Sequence, residues 1–176
     1  SLQLGEKSFT VCFLAKLIAD SPERHAIIAK RDGAYASGYA GFNVYIGNYP
    51  NSYVIGGISD GTNYISDGTI LSNSILEYNK CYLITLVYDR VNGLIKCYIN
   101  ASLDKTTDIS SVTGSINTTN GIRIGRGWLF ENIRVLNGFL YYVCLYKGRA
   151  LTEEEILHNL RNPLNPIHKS DLVLWF

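Results

Sequence analysis

Cys81-Tyr82-Leu83-Ile84-Thr85-Leu86-Val87-Tyr88 and Leu94-Ile95-Lys96-Cys97-Tyr98-Ile99-Asn100, joined by Asp89-Arg90-Val91-Asn92-Gly93, decide the fold class. Both arms are rich in β-branched and aromatic residues, which suit a pleated, half-buried surface. The Asn-Gly pair between them is a tight-turn signal, because Gly takes a positive φ at no steric cost. Outward from this hairpin the same pattern recurs. Phe9 to Leu17 alternates, with Phe9, Val11, Phe13 and Ala15 on one face. Ala26 to Lys30 reads as a short strand closed by Asp32-Gly33, and aromatic-rich segments follow at Tyr35 to Tyr39, Phe42 to Ile46 and Tyr53 to Ile58. Gly121 to Gly125 reads as a short strand and Phe139 to Tyr146 as a long one, with the polar stretch Ala101 to Asn120 carrying another loop.

Ile58-Ser59-Asp60-Gly61-Thr62 recurs as Ile65-Ser66-Asp67-Gly68-Thr69, which predicts two successive turns around a short strand. One helix is expected. Thr152 caps it, Glu155 three residues on completes a capping box, and Glu153 and Glu154 sit where the helix dipole favours negative charge. Leu151, Ile156, Leu157 and Leu160 supply its apolar face, and Asn162-Pro163 ends it. Residues 1–161 therefore read as one β-sandwich domain, 162–169 as a stiff, proline-punctuated linker, and 170–176 as a terminal strand. The linker can span roughly 26 Å at full extension. Leu172, Val173, Leu174, Trp175 and Phe176 form an unbroken apolar run, which must be covered on both faces by its own domain or by a neighbour.

At 176 residues, with 47% apolar and 18% charged residues, the chain fits a single globular domain rather than a disordered one. A net charge of +1 argues against a broad nucleic-acid footprint. No apolar run reaches the length of a membrane span, and no signal peptide stands at Ser1. The abundance of Tyr, Asn, Ser, Thr and Gly suits a strand-and-turn protein of an extracellular, cell-surface or virion-surface setting. Cys12, Cys81, Cys97 and Cys144 show no CxxC spacing. They read either as four buried small hydrophobes or as one or two disulfides, with three connectivities open.

The residues also carry a family resemblance. Phe9 to Lys16 resembles the "FTISFWVK" strand of laminin-G-like, concanavalin A-like jelly rolls, and Cys81 to Asp89 with Ile95 to Asn100 resembles "WYHVAVTYDG…KLYVNG". Ile122-Arg123-Ile124-Gly125 resembles "LTIG", and Val143 to Ile156 is similar to "VRIYNRALSEEEI". The resemblance covers Phe9 to Leu160 and implies an all-β, antiparallel two-sheet jelly-roll sandwich with one short C-terminal helix. Leu14 and Cys81 stand where the family commonly has Trp. The family's usual opening strand is missing, and a segment resembling it, Asp171 to Phe176, stands at the C-terminus instead. The resemblance further implies that the strand of Cys12 lies beside that of Cys144, and hence a Cys12–Cys144 disulfide. Calcium is an optional ligand of the family, and no residue here is assigned to it.

No catalytic constellation is visible. The E-x-D-x-E motif of related glucanases is absent, and Glu153-Glu154-Glu155 reads as a charged first helical turn. His25, His158 and His168 are scattered. The expectation is a protein that is not an enzyme. Two functions remain open. In the first, the terminal strand enters the groove of the next copy, beside Phe9 to Leu17 or Phe139 to Tyr146, and builds a head-to-tail filament on a cell or virus surface. Its counterpart is the same strand folded back into its own sandwich. In the second, the domain binds cell-surface glycans or proteins, with Tyr35, Tyr39, Tyr45, Tyr49, Tyr53 and Tyr64 as stacking platforms. Asn100 and Asn117 head N-glycosylation triplets.

Overall fold

The computed structural model describes residues 2–18, 24–33, 39–47, 51–127 and 135–175. Two antiparallel sheets pack face to face. The first runs β11(Leu172–Trp175), β10(Gly138–Lys147), β1(Phe9–Leu17), β6(Cys81–Asp89), β7(Leu94–Ile99), β8(Ser102–Asp108) across its width. The second runs β5(Tyr64–Ile70), β4(Tyr53–Asp60), β3(Ala40–Gly47), β2(His25–Arg31), β9(Arg123–Ile124). One helix among the described residues, α1(Glu153–Arg161), follows β10. The expected jelly-roll sandwich is what the chain forms.

The alternation that predicted the strands also builds the core. Phe9, Val11, Phe13 and Ala15 of β1 meet Phe42, Val44 and Ile46 of β3 between the sheets, all buried. An aromatic triad fastens the two layers. Phe9 stacks on Tyr88 with ring centroids 4.2 Å apart and planes 9° apart. Phe42, from the opposite sheet, lies 5.0 Å from Phe9 and 5.9 Å from Tyr88 in an edge contact. The hairpin of Cys81–Asp89 and Leu94–Ile99 forms in the register Ile84↔Ile99 to Asp89↔Leu94, and its turn is held by Asp89, which accepts from the Asn92 backbone and side chain.

Helix α1 starts as the sequence reads. Thr152 Oγ1 accepts from Glu155 N, and Glu155 Oε2 accepts from Thr152 N at 2.8 Å. The helix lies on the outer face of the six-stranded sheet, where Ile156 and Leu151 bury a second small core with Cys12, Val87, Tyr98, Cys144 and Tyr146. The Thr10 hydroxyl donates to Arg149 O and accepts from Leu151 N, fixing the turn into the helix.

Four expectations are corrected. Ser102–Asp108 forms β8 rather than loop; its residues are polar because it is a solvent-facing edge strand, where Asp104, Lys105 and Asp108 block further pairing. Asp67-Gly68 is not a turn but lies inside β5. There Ser66, Asp67 and Gly68 bulge opposite the single residue Gly57, while Asp60-Gly61 does turn the chain. The 162–169 linker is compact. Asn165 N donates to Asn162 O, Ile167 N donates to the buried Asn159 side chain, and Pro166 is buried. Finally, Cys12 and Cys144 are direct cross-strand partners, as the resemblance implied, yet all four cysteines are free thiols. Burial pushes the Cys12 and Cys144 thiols up to about 12, and Cys12 Sγ instead accepts from the Thr85 hydroxyl.

Two measurements check this fold. Phe9→Ala removes the ring that touches both sheets, and should cost about 3–5 kcal/mol in urea unfolding. In the reduced, folded protein a thiol reagent should titrate Cys81 alone, the one exposed cysteine, and reach the other three only in denaturant. A fall in the denatured thiol count after air oxidation would show that Cys12 and Cys144 can close.

Candidate functional site

The terminal strand completes the molecule in cis. β11 pairs antiparallel with β10, Cys144↔Trp175, Leu145↔Leu174 and Tyr146↔Leu172, with Val173 bulged out. The groove proposed beside Phe139 to Tyr146 is therefore filled by the chain's own strand. The run is not covered on both faces. Leu174 packs on the main core and Leu172 on the small core, but Val173 and Trp175 remain 44% and 45% exposed at the sheet edge. Phe176 lies outside the described residues.

A clamp of charges holds this strand. Arg149 Nε donates to Asp171 Oδ2 at 2.6 Å, Lys147 N donates to Asp171 O at 2.9 Å, and Arg149 Nη1 lies 3.6 Å from Glu155 Oε1. His168 bonds the same Glu155 oxygen, so one carboxylate ties the helix cap, the linker and the strand together. The hydrogen bond from Arg149 holds the Asp171 carboxyl below the usual range. Burial pushes Glu155 up, but Thr152 N–H, His168 and Arg149 outweigh it and leave it lowered.

Trp175 brings with it a cleft. Leu14, Tyr141, Tyr142, Pro163, Leu164 and Trp175 line a depression of about 440 Å³ on the outer face of the six-stranded sheet, beside the helix. The β1–β10 register shifts here, Leu14↔Tyr142 then Ala15↔Leu140, so Tyr141 is an extra residue and both tyrosines reach the same cleft. Phe139 extends the aromatic surface, 6.0 Å from Tyr141, and both rings are 52% exposed. The cleft offers π-faces from two strands, β10 and β11, beside Leu14 of β1 and linker atoms, with the Tyr142 hydroxyl kept protonated by burial.

The tyrosines singled out from the sequence scatter. Tyr45 is buried with Ala26 and Ile55 on the outer face of the five-stranded sheet, and Tyr53 packs against that cluster. Tyr39 and Tyr64 are 42% and 48% exposed near the Asp60 turn. Tyr35 and Tyr49 lie outside the described residues. Asn100 and Asn117 are exposed, but their side-chain oxygens accept from Leu83 N and Gly5 N, so both carboxamides serve the fold. The Asp60 carboxylate accepts from Thr62, Asn63 and Gly114 N–H groups. No group of three metal-ligating side chains occurs among the described residues, and no described helix is long and apolar enough to cross a membrane. The sequence reading took Trp175 as an assembly anchor and missed Tyr141, Tyr142 and Phe139. Its only clue was an aromatic-dense strand whose outward residues are not polar.

The sequence matches, over residues 1–157, the family described as the concanavalin A-like lectin/glucanase superfamily, and the chain belongs to it. A comparison with curated protein sequences finds no match. Among solved structures, it resembles a protein proposed to bind carbohydrate from Bacteroides ovatus, at 20% identity and a TM-score of 0.69 over 98% of this chain and 45% of that one. It resembles a heptameric SAP-like pentraxin from Limulus polyphemus at 19% identity and a TM-score of 0.63, covering 94% and 74% of the two chains. A CBM40 domain of a Ruminococcus gnavus sialidase, bound to sialyllactose, matches at 15% identity and 0.58, covering 86% and 82%. These likenesses show the fold. The chain spans less than half the length of the Bacteroides protein.

The clamp gives a signed pH dependence. Two carboxyls lowered from 4.5 and 3.8 contribute stability that is complete above those values and is lost as pH falls through the folded ones. Protection of the Leu172 to Trp175 amides, relative to the intrinsic exchange rate at each pH, should therefore fall from about pH 4 downward, before that of the β1 amides. Arg149→Ala should raise exchange in β11 at neutral pH; equal protection in variant and parent would show that the clamp does not hold the strand.

Proposed function

We propose that this domain is a non-catalytic, lectin-like module that binds saccharides in the cleft of Tyr141, Tyr142 and Trp175. The observation that carries the reading is that cleft. Aromatic faces on a rigid sheet stack against the apolar faces of pyranose rings, and the phenol and indole groups at their edges can bond ring hydroxyls. A volume of about 440 Å³ falls in the range of small-ligand sites. Family membership and the carbohydrate-binding neighbours support the same reading. The setting proposed with it is extracellular, facing cell-surface glycans.

The fit of a four-residue strand through a short linker also supports a second reading, in which copies exchange β11 and assemble into a filament. In that case β11 must leave β10 and break the Arg149–Asp171 pair in each copy. Comparing particle mass for the full chain and a chain ending at Pro166 separates the two. A monomer that loses stability on truncation supports the saccharide module, and oligomers that vanish on truncation support exchange.

The saccharide reading is tested by titrating the protein with a panel of neutral oligosaccharides by calorimetry. Binding by one class is expected, with Trp175→Ala and Tyr142→Ala each weakening it about tenfold, roughly 1.4 kcal/mol. Binding that is indifferent to both substitutions would move the site elsewhere.

A further inference from the structure

A second cleft shares no lining residue with the aromatic one. Gln3, Leu4, Gly5, Glu6, Lys7, Ser115, Asn117 and Lys147 line a depression of about 410 Å³. Its walls are fixed. Leu4 and Ile116 are buried in the main core, Ile116 N donates to Gly5 O at 3.0 Å, and Gly5 N donates to Asn117 Oδ1 at 2.7 Å. The 3–7 segment and the 115–117 loop are thus bonded to each other in both directions. Lys147 enters from the sheet side. It pairs with Phe9 in register, so it shares the inward face of β10 but lies beyond the core, at the mouth between the layers. The Lys7 stem passes over Gly148, whose absent Cβ would meet Lys7 Cδ at 3.8 Å.

The chemistry of the lining is one-sided. Neither the Lys7 nor the Lys147 ammonium has a carboxylate partner among the described residues. Asn117 spends its carbonyl on Gly5 and keeps its amide donors, and Ser115 Oγ accepts from Asn117 N and keeps its own proton. The one carboxylate in the lining, Glu6, lies in the field of Arg90, whose guanidinium donates to Gly114 O. Ammonium, amide and hydroxyl donors therefore line one cleft, with Glu6 as the carboxylate among its described lining residues. The volume of about 410 Å³ exceeds what a lone inorganic anion fills, which leaves room for a larger body that carries the anionic group.

We infer that this cleft is an anion-recognising subsite that takes a carboxylate-bearing, acidic saccharide, with Lys7 and Lys147 on the carboxylate and Asn117 and Ser115 on neighbouring hydroxyls. The saccharide half of this rests on the lectin-like reading; the anion half rests on the cleft alone. Two ammonium groups holding one carboxylate form charge-assisted bonds, and at this surface position they weaken with salt.

The test is a heteronuclear NMR titration of the whole chain with trigalacturonate, with neutral galactose trisaccharide, and with sodium acetate and inorganic sulfate as bare-anion probes. Trigalacturonate should shift the amides of Gly5, Ser115, Asn117 and Lys147, and the neutral trisaccharide should leave them in place. Lys7→Ala with Lys147→Ala should weaken trigalacturonate about tenfold, while Lys7→Arg with Lys147→Arg retains it. Ser115→Ala gives a second, milder loss should the double alanine variant lose stability. Trp175→Ala should not alter these shifts, so failure of the aromatic cleft leaves this result readable. Absence of the shifts, or equal binding by the double alanine variant, overturns the subsite. Acetate or sulfate binding as tightly as trigalacturonate overturns the saccharide and leaves a bare anion site.

Discussion

The structure depends on β1 being paired along both of its edges. Phe9 to Leu17 runs against β10 on one side, and Phe9 to Lys16 against β6 on the other. Both edges of β1 are thereby occupied by neighbouring strands, and its inward residues are buried. Segments far apart in the sequence are brought to one strand, so the sheet cannot form piecemeal. The Phe9–Tyr88–Phe42 triad then sets the distance between the layers. The Tyr88 hydroxyl is buried without a hydrogen-bond partner among the described residues, a cost of about 1–3 kcal/mol that ring burial must offset.

The two clefts inherit their form from this arrangement in different ways. The aromatic one is made by the edge of the sheet. The β1–β10 bulge turns Tyr141 and Tyr142 together, and β11 supplies Trp175 only because the clamp of Arg149, Glu155, His168 and Asp171 docks it. The Asn159 side chain adds to that docking, donating to Tyr146 Oη and accepting from Ile167 N. The other cleft is made by loops anchored in the core through Leu4 and Ile116 and by Lys147 at the end of β10, whose backbone N–H is bonded to Asp171 O at the entry to β11.

Strand periodicity, the Asn-Gly turn and the capping box were readable in the sequence because each is local. A period of two, a residue tolerant of positive φ, and a hydroxyl three residues from a carboxylate act within a few positions of themselves. The same locality explains the misses. Ser102–Asp108 has the composition of a loop and becomes a strand only because β7 offers it an edge. Asp67-Gly68 has the composition of a turn and becomes a bulge because β4 runs on beside it. The six tyrosines shared a stretch of sequence but not a face. Tyr45 falls under Ala26 and Ile55, while Tyr39 and Tyr64 stay outside.

The sequence by itself determined an all-β sandwich with a late capped helix, and placed Cys12 beside Cys144, because hydrophobic period and family pattern specify strands and their neighbours. Only the tertiary structure decided where the terminal strand goes and which side chains share a cleft. Those outcomes turn on register and on contacts beyond any local pattern, such as Arg149 with Asp171, Cys144 with Trp175 or Thr10 with Leu151. No local pattern encodes a distance of that kind; it exists only once β1 has closed the sheet around itself.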